Sequence, residues 1–193
     1  MAVLAFFQRK RQELALEQFL AGAERRAYQS ALLTTRREAD ALDLVQDAML
    51  QLVQHYRTHT AEEWPKLFQR ILQHKIVDWV RARQRQQGLY SQLDSDETEA
   101  DPWEQIMDPR DINPAAILMA QQDVQRVLNA LEVLPLRQRQ CFLLRAWEGF
   151  DTESTALALG ISTGSVKTHY ARALDKLNTA LTCPAPSEPQ YAH

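Results

Sequence analysis

The sequence predicts an all-α protein: two small helical domains joined by an acidic flexible linker. Three observations carry this. The chain has five glycines and few runs of Val, Ile or Thr, against abundant Ala, Leu, Gln, Arg and Glu, a composition that favours helix almost everywhere and leaves no sheet to expect. Apolar residues recur at helical intervals in two separate blocks. Between the blocks, residues 88–113 carry Asp94, Asp96, Glu97, Glu99, Asp101, Glu104, Asp108 and Asp111 against Arg110 alone, with Pro102, Pro109 and Pro114 nearby, the signature of an extended, solvated strap. At 193 residues and 45% apolar, the chain can bury two small cores, which excludes disorder throughout. The expected division is 1–87, a linker over 88–114, 115–182, and a disordered tail over 183–193.

In the first block, Leu14, Leu16, Phe19, Leu20 and Ala23 predict a helix over 14–27, with a second short helix over 28–34. Arg36, Arg37, Glu38 and Asp40 mark a polar interruption. A long amphipathic helix is then expected over 41–56, with Leu42, Val45, Met49, Leu52, Val53 and Tyr56 as its apolar stripe and Asp43, Gln46, Asp47, Gln51 and Gln54 on the opposite, polar and acidic face. Residues 55–63 read as a loop. Over 64–86 the pattern resumes through Leu67, Phe68, Ile71, Leu72, Ile76, Trp79 and Val80. The exposed side of this helix is cationic: Lys66, Arg70, Lys75, Arg81, Arg83 and Arg85 oppose only Asp78. With Trp64 and Trp79 interleaved, that is the composition of a nucleic-acid surface, on which aromatics stack with bases and cations follow phosphates.

The second block opens with a helix over 115–133, whose buried face is Ile117, Leu118, Val124, Val127, Leu128 and Leu131, and Pro135 lets the next helix begin. Residues 134–180 then have the spacing of a helix-turn-helix followed by a long helix. Ala156, Gly160 and Val166 stand at relative positions 0, +4 and +10, where the unit needs a small contact residue, a left-handed turn and a buried anchor. Ser162 stands at the N-cap of the second helix. The first turns of that helix turn Thr163, Ser165, Lys167, Thr168 and Arg172 outward, the positions that reach bases and phosphates in the major groove. Arg137, Arg139, Arg145, Lys167, Arg172 and Lys176 put further positive charge on the unit.

The remaining properties bound the function. A net charge of -3 and a pI near 6.0 argue against a protein that grips DNA unaided, since non-specific affinity comes from neutralised phosphates; a grip borrowed from a partner fits. Cys141 and Cys183 are too few and too far apart for a disulfide framework, and a reducing cytoplasm is expected. The opening apolar run is too short for a secretory signal, and no stretch approaches a membrane span. His55 and His59 have an i, i+4 spacing without a third ligand nearby, so no metal site and no cofactor are expected. No glycine-rich phosphate loop, nucleophile elbow, HExxH or paired-carboxylate arrangement is present, and the chain does not read as an enzyme.

Three segments together resemble one family. ADALDLVQDAMLQLVQHY resembles the region-2 helix of extracytoplasmic-function sigma factors, WPKLFQRILQHKIVDWVRARQR the basic aromatic helix that follows it, and LEVLPLRQRQCFLLRAWEGFDTESTALALGISTGSVKTHYARALDKL their region 4. The resemblance implies a bacterial sigma factor that joins core RNA polymerase, melts the -10 element and binds the -35 element. It places Asp43, Leu44, Gln46, Asp47 and Gln51 on the clamp helices of the largest polymerase subunit, and region 4 near the flap of the second-largest subunit. It places His59, Thr60, Trp64, Arg70, His74, Lys75, Asp78, Trp79 and Arg81 on the -10 element, and Thr163, Ser165, Lys167, Thr168 and Arg172 on the -35 element. Base extrusion costs a few kcal/mol, so a pocket and a stacking platform are expected at the -10 surface. The acidic linker would pass near the catalytic cleft and RNA exit path, and an anti-sigma factor is a further partner that the family allows. Against the family pattern, Met49 stands for Phe, His74 for a common Asn, Leu67 for a frequent Trp and Thr155 for an aliphatic residue. The rival readings are a LuxR-like helix-turn-helix regulator, which would need an α/β receiver or ligand domain in the first half, and a helical adaptor that binds no DNA, which leaves the basic residues of both halves unexplained.

Overall fold

The computed structural model describes residues 2–86 and 121–182, and all regular structure among the described residues is helical. The expected linker, the expected tail and residues 115–120, where a helix is expected to begin, lie outside the described residues. Among those described, seven α-helices follow in order: α1 Ala2–Thr35, α2 Glu38–Tyr56, α3 Trp64–Gln86, α4 Gln121–Val133, α5 Leu136–Phe142, α6 Thr152–Leu159 and α7 Thr163–Thr182; a π-helical turn, Leu143–Trp147, continues α5.

The first unit is α1–α3. The two helices expected over 14–27 and 28–34 are one helix, Ala2–Thr35, some 51 Å long at 1.5 Å per residue. Nothing at Tyr28, Gln29 or Ser30 removes a backbone donor or demands a left-handed residue, so the ladder runs through. It stops at Arg36, whose φ of 54° is left-handed. Thr35 then donates its hydroxyl to the Arg37 carbonyl, and α2 starts at Glu38, with Glu38 and Asp40 in the first turn where the helix dipole favours carboxylates. The polar interruption is therefore two residues long. Ala23, Ala27 and Ala31 on α1 and Ala41 and Ala48 on α2 are all buried and let these helices approach closely; Val45, Leu52, Trp64, Phe68, Leu72 and Ile76 complete the core. Leu42, expected in the apolar stripe of α2, is instead 43% exposed.

The second unit is α4–α7, centred on Leu131, Cys141, Leu144, Leu159, Val166, Ala173 and Leu177. Ala156 and Val166 are buried and Gly160 adopts φ 67°, as the 0, +4, +10 spacing requires. The amides of Gly160 and Ile161 both return to the Ala156 carbonyl, at 2.9 and 3.2 Å, closing α6 with a left-handed cap. Thr155 is fully buried, and its hydroxyl donates 2.8 Å to the Asp151 carbonyl, which satisfies the polar atom that an aliphatic residue would lack.

The two units touch. α3 packs against α6 and α1 against α4, Leu136 reaches the first core and Leu33 the second. Around them the seam is polar. Gln140 Nε2 donates 2.9 Å to Gln73 Oε1, and Gln73 Nε2 lies 3.4 Å from Gln69 Oε1, all three side chains being buried. Arg26 Nε is 3.8 Å from Glu148 Oε2, and burial pushes the Glu148 carboxyl above its usual range. Arg139 Nη1 reaches the carbonyls of Leu33, Leu131 and Glu132 at 3.1, 3.4 and 3.1 Å and so ties the C-terminus of α1 to that of α4. Desolvation lowers this guanidinium to about 10.

Candidate polymerase and nucleic-acid interfaces

α2 presents its outer face without cover. Asp43, Gln46 and Asp47 are exposed at i, i+3 and i+4, while Gln51 is half-buried. Leu44 is half-buried against the first core, so it supports this face from below rather than standing on it. Two apolar residues join the surface: Leu42 and Leu50, 43% and 55% exposed, each lie about one turn to either side of Gln46. Their spacing of eight residues places them on one side of the helix, a signal available in the sequence and masked by Leu42's fit to the apolar stripe.

On α3, Arg70, His74, Asp78 and Arg81 form an exposed line at i, i+4, i+8 and i+11. An open cleft of about 380 Å³ runs beside it, lined by Gln51 and Tyr56 of α2 and by Leu67, Arg70, Ile71, His74, Lys75 and Asp78 of α3. A second, of about 220 Å³, lies between His74, Asp78 and Arg81 on one side and Arg137, Leu159 and Gly160 on the other. Trp79 is half-buried and carries the Arg83 guanidinium 5.3 Å from its ring centroid, so one of its faces already stacks on a cation.

Trp64 corrects the expectation. It is 1% exposed, its ring lies 6.2 Å from that of Phe19, and its Nε1 donates 3.1 Å to the Tyr56 carbonyl. It anchors the start of α3 in the core and offers no face to a base. The loop before it is held internally. Glu63 accepts both the amide and the hydroxyl of Thr60 at 2.9 Å, which holds its carboxyl below the usual range, and His59 accepts the Gln12 side-chain amide at its carbonyl while its ring sits 5.2 Å from Tyr56. Thr60 is exposed at the surface and His59 half-buried.

In the second unit, Asp151 caps α6 by accepting the Ser154 amide at 2.6 Å, and Ser162 caps α7 by accepting the Ser165 amide at 3.0 Å. Beyond that cap, Thr163 and Lys167 are exposed, and Ser165, Thr168 and Arg172 half-buried. The Ser165 hydroxyl is also 2.9 Å from that of Ser162, so Ser165 serves the cap as well as the outer face. His169 and Tyr170 point inward. Half of the basic set does internal work: Arg139 is buried in the seam, Arg137 lies 3.4 Å from the Leu159 carbonyl, and Arg145 donates to Thr152 Oγ1 at 3.1 Å beneath a guanidinium–Tyr170 contact of 5.3 Å. Lys167, Arg172 and Lys176 remain on the outer surface of α7.

Residues 124–177 match the family described as Sigma-70, region 4. Over 162 residues, 81% of this chain and 82% of the relative, the sequence is 32% identical to the RNA polymerase sigma-E factor of Streptomyces coelicolor. The chain belongs to the extracytoplasmic-function sigma factors of RNA polymerase. The extracytoplasmic-function sigma factor SigX of Bacillus subtilis is 26% identical over 154 residues, covering 78% of this chain and 75% of its own. In fold, the sigma factor superposes on the sigma factor RpoE of Bartonella quintana, solved with the anti-sigma factor NepR, at a TM-score of 0.57 with 23% identity over 91% of this chain and 96% of that one. CnrH, solved with the cytosolic domain of CnrY, gives the same TM-score at 22% identity, over 93% and 95%. The LuxR-like alternative fails on the helical first half of this sigma factor, and the helical adaptor fails on family membership. Among the described residues no helix is long and apolar enough to cross a membrane.

Proposed function

We propose that this sigma factor directs core RNA polymerase to promoters by dividing the work among three helix faces. Asp43, Gln46 and Asp47, flanked by Leu42 and Leu50, dock on the clamp helices of the largest polymerase subunit. The line Arg70, His74, Asp78 and Arg81, with Lys75 and Trp79, takes the -10 strand as the duplex opens, and region 4 sits near the flap of the second-largest subunit. Thr163, Ser165, Lys167, Thr168 and Arg172 position α7 in the -35 major groove. The observation that carries this reading is α7 itself: a helix capped at Ser162, anchored by buried Val166 and Tyr170, and presenting Thr163 and Lys167 to solvent in its first turns. The domain division at the linker belongs to the same proposal, and the chemistry of RNA synthesis stays with the polymerase. An anti-sigma factor is a proposed further partner, supported by RpoE, a structural neighbour solved with one. A cytoplasmic location follows from this role.

The test is in vitro transcription with purified core polymerase over a promoter library. A recovered two-element motif supports the reading, and a chain that neither binds core nor selects any promoter overturns it. Lys167→Ala with Arg172→Ala should weaken promoter-specific initiation by ~1–3 kcal/mol for each base interaction removed while core binding survives. Loss of core binding in that variant would show the -35 assignment to be wrong. Asp43→Arg with Gln46→Ala should instead weaken core binding, and initiation should fall at all promoters alike.

A further inference from the structure

We propose that Asp47 and Lys75 form an exchangeable pair that withholds Lys75 from the -10 strand until polymerase takes Asp47. The inference rests on the function proposed above and concerns how its two region-2 surfaces communicate. Those surfaces share a border. Lys75 Nζ lies 3.4 Å from Asp47 Oδ2, so a residue of the polymerase face holds a cation of the -10 cleft, and Gln51, one turn beyond Asp47, is part of the same cleft's wall.

The exposures are asymmetric: the Asp47 side chain is 66% exposed and that of Lys75 only 25%. An incoming polymerase cation therefore reaches the carboxylate readily, whereas a phosphate that approaches Lys75 meets the carboxylate beside it. A solvent-exposed ion pair of this kind is weak and exchanges partners easily. Once Asp47 is neutralised by polymerase, Lys75 keeps its position at the cleft edge and turns its full charge to the strand. Asp47 is thus a positioning residue for the -10 strand in addition to a docking residue.

The experiment uses the full chain and a fluorescently labelled, random-sequence, 12-nucleotide single-stranded DNA at low ionic strength. Asp47→Asn should tighten binding by the free chain about two- to fivefold and steepen its salt dependence by ~0.7 in log K per log salt, the increment for neutralising one more phosphate of a single strand. Glu38→Gln, the same charge change on the same helix away from Lys75, should do neither. In a Lys75→Gln background the effect of Asp47→Asn should vanish, and at saturating core polymerase wild type and Asp47→Asn should bind the strand alike. The pair is overturned if Asp47→Asn matches wild type in the free chain, if Glu38→Gln tightens binding equally, or if the tighter binding persists without Lys75. A wild-type chain that binds no DNA even with core polymerase would overturn the proposed function, and this inference with it.

Discussion

Trp64 shows where residue-scale reading succeeds and where it fails. Cations interleaved with aromatics over 64–86 give the composition expected of a nucleic-acid surface, but composition cannot say which tryptophan turns inward. At the start of α3 the indole drops between α1 and the end of α2 and finds its acceptor in the Tyr56 carbonyl. Trp79, about four turns on, keeps a face near solvent. The two should therefore separate in measurement: Trp64→Ala should cost ~3–5 kcal/mol in urea denaturation, whereas Trp79→Ala should cost little stability and weaken single-strand binding by ~1–3 kcal/mol. Comparable stability losses in both variants would place Trp79 in the core. Arg139 is the matching case among the cations. Counted by type it belongs to a DNA-facing set, but its guanidinium ends three carbonyls of two helices, and only the three-dimensional meeting of those helix ends reveals it. Leu42 fits an apolar stripe by period and is exposed because the stripe of α2 is narrower than the period allows, with Ala41 and Ala48 taking the buried edge.

At the scale of elements, the helix-turn-helix was the most legible part. Its determinants are local: a small residue, a left-handed glycine, a capping serine and a plug, each doing in the structure what its chemistry requires. The length of α1 was not legible, because helix ends are set by caps and tertiary cover and neither leaves a periodic trace. The cap at Asp151 gives a prediction that belongs to this scale. Its carboxylate accepts the Ser154 amide, and those hydrogen bonds hold its titration below the ordinary value of 3.8. A depressed carboxyl contributes stability that is present above the unfolded-state value and is lost as pH falls through the folded-state value. Asp151→Ala should therefore lower stability by ~1 kcal/mol at pH 7, and the difference from wild type should shrink in denaturant midpoints measured below about pH 3.8. A gap that stays constant into acid would mean that the side chain is not the cap. Gly160→Ala, which must hold a left-handed conformation, should cost a further ~1–2 kcal/mol by the same assay.

The whole molecule adds something that no stretch of sequence contains: the two units lean on each other through amides, the Arg139 guanidinium and two ion pairs, Arg26 with Glu148 and Arg36 with Glu132. Gln69, Gln73 and Gln140 are buried, and the hydrogen bond from Gln140 to Gln73 that joins the halves cannot be read from either half alone. The seam can be followed with dyes placed at Glu24→Cys and Lys176→Cys in a Cys183→Ser background. The native Cys141 is buried, with its thiol pushed up to about 12, and would not label at neutral pH. The dye separation should increase by tens of ångströms, on the order of the promoter spacing at about 3.4 Å per base pair, when core polymerase and promoter are added. An unchanged separation would mean that the seam persists on DNA.

That seam has a consequence in plain measure. With α6 lying against both α3 and α7, and neighbouring helix axes about 8–10 Å apart, the two helices proposed to read DNA sit within roughly 20 Å of each other. The promoter elements proposed for them are named for positions about 25 base pairs apart, a span of about 85 Å on B-form DNA. In this posture the protein is a folded caliper, too narrow for its own ruler. Opening the arms would exchange the hydrogen bonds of Gln73, Gln140 and Arg139 for water and expose the edges where Leu33 and Leu136 cross between the cores.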